Sequence, residues 1–290
     1  MTSTAFTSAA AERPFGRMMA SATPGRSLLL LLPAFLVLGV ILFMPLLDLA
    51  ALSIDGGSFG PYVKALGDPL YVRVIGQTFQ IALISTGICL ILAYPLAYFM
   101  ATTSPRLRIL CLLLVALPFW TSVLVRTYAW MVLLGRNGII NRLLIDNGFI
   151  AEPLPLIYNK AGVILGTVYY LLPFMVLPIF AAMMRVDRQL LLAAEGLGAS
   201  AVRRFFSIFL PLTLGGIGAG AALVFILALS AFITPALLGG GRVIMITNLI
   251  YTQVSQVLDW PFAAALSVLI LVATIVAYSC IGLLTRRRWN

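Results

Sequence analysis

Six runs of apolar residues, each long enough to cross about 30 Å of hydrocarbon, decide what this chain can fold into. They cover residues 27–52, 76–101, 109–134, 162–184, 212–238 and 262–284. Prolines recur inside them, at Pro45, Pro95, Pro118, Pro173, Pro178 and Pro235. In a soluble helix each would remove a hydrogen bond and crowd the preceding turn, but membrane helices tolerate proline where neighbours satisfy the freed carbonyl. Of the 290 residues 62% are hydrophobic and 10% charged, where a soluble domain carries roughly a quarter charged. So few polar side chains cannot cover the surface, and lipid has to be part of the solvent. The sequence predicts an all-α integral membrane protein with six transmembrane helices.

The net charge of +10 acquires meaning from where the charges fall. With the N-terminus inside, the cytoplasmic segments hold Arg13, Arg17, Arg26, Arg106, Arg108, Arg185, Arg188, Arg203, Arg204 and Arg286 to Arg288, against Glu12, Asp187 and Glu195. The outer segments hold six basic and six acidic residues, and Arg126 lies inside the third run. This one-sided excess obeys the positive-inside rule, places both termini in the cytoplasm and gives no argument for nucleic acid. Residues 1–26 are a cytoplasmic tail without a folding pattern, and 284–290 a basic cytoplasmic tail. The run 27–52 is longer than the core of a secretory signal, so an uncleaved first span is expected.

The chain has no histidine, and Cys89, Cys111 and Cys280 are scattered through apolar runs. Neither a zinc-ligand spacing nor a nucleophile–base pair is available, which weakens any enzymatic reading. A self-sufficient secondary transporter or channel is the rival among membrane proteins. It would favour several intramembrane acids and an inverted repeat with broken helices, and neither is visible.

The stretch 190–211, LLLAAEGLGASAVRRFFSIFLP, is a water-compatible patch flanked by long apolar runs. Small residues and a turn (Ala193-Ala194-Glu195-Gly196-Leu197-Gly198) precede Arg203 and Arg204, and the run closes at Leu210-Pro211. Glycines here permit positive φ and a close approach, and Pro211 suits the first turn of a new helix. The expectation is a short helix, a tight turn and a second short helix at a membrane surface. The segment resembles the EAA motif of ABC importer permeases: Glu-Ala-Ala, three residues, Gly, nine residues, Ile-x-Leu-Pro. Ala193, Ala194, Gly198, Ile208, Leu210 and Pro211 fall in register, whereas Leu192 stands where the motif has its acid and Glu195 lies one turn on.

The resemblance continues outside that loop. Leu117-Pro118-Phe119-Trp120-Thr121, Arg126-Thr127-Tyr128-Ala129-Trp130, Asn137-Gly138-Ile139-Ile140-Asn141, YYLLPFMVLP at 169–178 and Asp259-Trp260-Pro261 are similar to the spermidine/putrescine branch of those permeases. It implies the type I (MetI-like) fold, with a permease core over 77–283 and a coupling loop at 185–211. It also implies a second related permease, two copies of a cytoplasmic ATPase and an extracytoplasmic solute-binding protein, in a bacterial inner membrane. This chain has no Gly-x-x-x-x-Gly-Lys-Ser/Thr sequence, so ATP and Mg would be used by the ATPase, and no cofactor is expected here.

For the solute path the candidates are Trp120, Arg126, Tyr128, Thr234, Tyr251 and Asp259. An arginine within a span is expensive unless it faces protein or water, so Arg126 either lines the path or snorkels to the outer headgroups. Asp259 is a solvated helix-end residue or a contact for an entering amine. Polyamine permeases often carry acids near the tip of the fifth span, where this chain has Ala231 and Ala236. Related branches carry opines, aminophosphonates and other amine-bearing solutes.

Overall fold

The computed structural model describes residues 24–54 and 57–286, so most of the N-terminal tail and the last residues of the C-terminal tail lie outside the described residues. The chain divides into two units, 1–51 and 52–290. In the first, α1 (Pro24–Leu52) is one helix with Pro33 and Pro45 inside it. Its 29 residues reach about 44 Å at 1.5 Å each, more than a span requires.

The second unit is entirely helical among the described residues. A short helix, α2 (Gly60–Gly67), leads into α3 (Pro69–Thr102), whose N-cap Asp68 accepts the Leu70 N–H at 2.8 Å. The far end of α3 is closed by one side chain. Arg108 donates from Nε to Met100 O at 2.9 Å and from Nη2 to Ala101 O and Thr103 O at 3.2 Å, so it occupies carbonyls that the helix cannot pair.

The third run is not the continuous span expected over 109–134. α4 (Pro105–Ala116) passes into a 3-10 turn at Leu117–Trp120, and α5 (Val123–Leu134) leaves at about 100° to it. Pro118 cannot donate to the preceding turn, and Thr121 and Ser122 are extended, so the helix ends and restarts. Then α6 (Ile139–Asp146) and an irregular stretch lead to α7 (Lys160–Met184), capped by Asn159 through the Gly162 N–H at 2.8 Å. Asn141, fully buried, braces that stretch by donating to Gly135 O and Leu154 O and accepting the Leu154 N–H.

After α8 (Arg188–Gly196) and α9 (Ala201–Arg204), a π turn at Phe205–Phe209 runs into α10 (Leu210–Leu229). Pro211 therefore does not open a new helix, because the helix is continuous from Ala201 to Leu229. The widened turn makes this possible: Leu210 N–H bonds to Phe205 O, one residue further back than usual, which eases the crowding that a proline ring imposes.

The fifth run also ends sooner than expected. α10 stops at Leu229, and 233–238 form a separate helix, α11 (Ile233–Leu238). Gly240 and Gly241 then turn the chain at φ of 54° and 74° into α12 (Ile246–Thr252), a π turn at Gln253–Val257 and α13 (Trp260–Arg286). Side chains on α12 reach back to carbonyls at the α10–α11 break: Ala231 O accepts Thr247 Oγ1 at 2.6 Å, and Phe232 O, which also accepts the Ala236 N–H, accepts Asn248 Nδ2 at 3.1 Å. Among the described residues five helices are long and apolar enough to span, and there are six if the bent pair 105–120 and 123–146 is one span.

The core is the junction of α3, α7 and α10. Small residues let the axes approach: Ala93 and Ala97 on α3 are fully buried, and α10 presents Gly216 and Gly220. A Cβ on Gly216 would lie 2.5 Å from Ala182 Cβ and 2.8 Å from Pro178 O, whereas one on Gly215 would meet nothing. Such small-residue contacts are how helices associate where no hydrophobic effect drives them together. Gly216→Val should therefore lower the melting temperature of the purified permease in detergent, with a loss of about 1–3 kcal/mol. Gly215→Ala in the same assay should not lower it.

Candidate functional site

Two places combine unusual geometry with the residues singled out above. The first is the knob formed by α8 and α9. Asp187 starts α8 by accepting the Gln189 N–H at 2.8 Å. The helix ends in a two-bond glycine cap: Gly198 N–H donates to Glu195 O at 2.9 Å and Ala199 N–H to Ala194 O at 3.0 Å, with Gly198 at φ 80°. Ser200 opens α9, its Oγ accepting the Arg203 N–H at 3.3 Å. The expected helix–turn–helix is thus present, and Gly198 sits at the left-handed position. Ala193 and Ala194 keep the helix slim beside it.

Glu195 has a side chain that is 57% exposed, one turn on from Leu192, which stands where the motif has its acid. Its carboxylate accepts from Arg204 Nη1, an ion pair that ties α8 to α9 across the turn. Large apolar side chains dominate the exposed surface. Leu192 is 64% and Leu197 89% exposed, and Leu190, Val202 and Phe206 join them, with the exposed cations Arg188 and Arg203 at the margin. Below the tip, Phe205 meets Tyr94 and Tyr98 edge-on, and Phe209 meets Tyr98 likewise at 5.4 Å. Ile208, Leu210 and Pro211 are half-buried in this region. The knob is thereby fixed to both α3 and α10 rather than hung on a loose loop.

The second place is a small, partly open cleft lined by Arg126, Thr127, Trp130, Tyr169, Tyr170 and Thr234. Gly166 lets Thr234 and Leu238 come close at its edge: a Cβ there would lie 2.5 Å from Leu238 Cδ1 and 2.8 Å from Thr234 Cγ2. Arg126 is half-buried, and its Nε reaches only Ser122 O, at 3.5 Å. Trp130 and Tyr169 meet edge-on at 5.4 Å.

Of the six path candidates, the cleft brings together Arg126 and Thr234. Trp120 (76% exposed), Tyr128 and Tyr251 face outward elsewhere, Tyr251 against Phe232 at 5.1 Å. Asp259 caps α13 through the Phe262 N–H at 3.1 Å and pairs with Lys64 at 3.3 Å. Sequence reasoning passed over Tyr169, Tyr170 and Thr127 as lining residues. An adjacent tyrosine pair inside an apolar run was the available signal, since each phenol needs a polar outlet.

No family model matches the chain. The spermidine/putrescine transport system permease protein PotB of Haemophilus influenzae is 40% identical over 244 residues, 82% of this chain and 82% of that protein. The protein of the same name from Escherichia coli is 41% identical over 207 residues, 71% of this chain and 75% of that one. Among solved structures, a chain of a bacterial alginate ABC transporter, in complex with an alginate pentasaccharide-bound periplasmic protein, superposes with a TM-score of 0.79. That likeness covers 95% of this chain and 98% of the other at 18% identity, and speaks to the fold alone.

The cap at Gly198 has a measurable consequence. Gly198→Ala places a Cβ at positive φ, a strain of about 1–2 kcal/mol confined to the knob. Amide exchange around 194–200 should accelerate several-fold while the amides of α3 and α7 keep their protection.

Proposed function

This chain belongs to the family of spermidine/putrescine transport system permeases, membrane subunits of ABC importers, and we propose that it conducts a polyamine or a related amine-bearing solute across a bacterial inner membrane. The relatives' names support the cargo. The concentration of arginine on the knob's side supports an orientation with knob and termini in the cytoplasm. A separate ATPase grips the knob, and its closure on ATP rocks the helices between inward-open and outward-open states. ATP and Mg belong to that partner. A second, related permease completes the pathway, two ATPase copies lie beneath the pair, and a solute-binding protein delivers cargo outside.

The single observation that carries this reading is the knob itself: a rigid, glycine-capped turn with an apolar tip, continuous with a spanning helix. With Leu192 and Leu197 exposed and the accessible Glu195 paired with Arg204, the grip on the ATPase is made chiefly by apolar contact, with the cations Arg188 and Arg203 beside it. Such a surface fits a greasy groove rimmed by carboxylates.

Reconstituted with its ATPase and binding protein, the importer should take up radiolabelled putrescine or spermidine in an ATP-dependent way. Gly198→Asp should reduce uptake at least tenfold while the permease remains in the membrane. Undiminished uptake by that variant would overturn the role assigned to the knob.

A further inference from the structure

At the opposite end of the bundle from the knob, the chain holds one of its own ammonium groups in a small cage. Lys64, on α2, places Nζ 3.3 Å from Asp259 Oδ2 and 4.2 Å from the centroid of the Phe262 ring. The cage is assembled without help from the lysine. Asp259 Oδ1 accepts the Phe262 N–H at 3.1 Å, which fixes the carboxylate, and the Asp259 N–H donates to Gln253 O at 3.0 Å. Phe262 is 1% exposed, and Tyr71 meets it edge-on with centroids 4.8 Å apart. Walls this well packed contrast with their occupant: the Lys64 side chain is 50% exposed and the Asp259 side chain 33%. An ion pair so open to water is held weakly.

A carboxylate and an aromatic face converging on one ammonium are what a primary alkylammonium requires. We propose that Asp259 and Phe262 form an alkylammonium site that Lys64 occupies at rest, and from which the terminal ammonium of an entering solute displaces it. Lys64 is then a tethered competitor. A solute with one ammonium group can exchange with it, and a diamine can do so while its second charge stays in water. The inference rests on the proposed amine cargo and on the orientation that puts this end outside the cell. It also gives Asp259 a role at the entrance rather than within the cleft around Arg126.

Lys64→Met keeps the apolar stem over Phe262 and removes the charge, which separates a binding site from a mere tie between α2 and α13. n-Butylamine, which reproduces the lysine side chain, should raise the melting temperature of the purified Lys64→Met permease. At the same concentration it should raise that of the wild-type protein less, and leave the Lys64→Met/Asp259→Asn double variant unmoved. In the reconstituted importer, Lys64→Met should lower the KM for putrescine about threefold, the factor by which a site free about one-third of the time is weakened. A response shared by all three proteins, or by none, overturns the site, and Lys64→Gln gives the same comparison should the methionine variant be unstable. Butylamine stabilisation without any putrescine uptake would overturn the cargo and leave the site standing. Uptake without that stabilisation would do the reverse.

Discussion

In a hydrocarbon solvent every backbone N–H and C=O has to be paired within the protein, and this structure is arranged around that demand. Long helices meet it automatically. The places where the helices stop or widen are the places where side chains take over the pairing: Arg108 at the end of α3, Thr247 and Asn248 at the α10–α11 break, and Asn141 in the stretch before α7. Each irregularity is therefore anchored, and several border a feature with functional meaning. The α10–α11 break brings Thr234 to the cleft, and the bend after Trp120 leads into the helix that carries Arg126 there.

Packing follows from the same solvent. Lipid tails are as apolar as leucine, so burying leucine contributes little to helix association, and close backbone approach contributes more. Gly216, Gly220, Ala93 and Ala97 supply it in the core, and Gly166 does so where α11 lies against α7. The absence of a side chain at Gly166 seats α11 against α7, and the cleft around Arg126 lies beside that contact.

Much of this was legible in the sequence, and the limits of legibility are physical. Apolar length located the spans, and the helix–turn–helix with a left-handed glycine followed from Ala193 to Gly198 and from Ser200 onward. Proline positions were harder to interpret. Pro118 breaks its helix outright, whereas Pro211 is absorbed by a π turn, and the difference lies in how the neighbouring turns can relax rather than in the residue itself. Pairings distant in the chain were also out of reach. Nothing in the local pattern links Glu195 to Arg204 rather than to solvent, or brings Lys64 to Asp259 from 195 residues away. Periodicity reports which face of a helix is apolar; it does not say which polar partner a charge will find.

The unbroken helix from Ala201 to Leu229 deserves to be followed from end to end. At 1.5 Å per residue its 29 residues span about 44 Å, with the knob at one extremity and the interruption at 230–232 at the other. The π turn at Phe205–Phe209 lies close to the knob, and from Leu210 to Leu229 the α-helix runs without a break. Tilting its lower end by a few degrees would swing the upper end by several ångströms, and the first joint available to take up that stroke is the one beside Thr234. Work done at the membrane surface would thus be spent across the full thickness of the bilayer, where a solute has to be released.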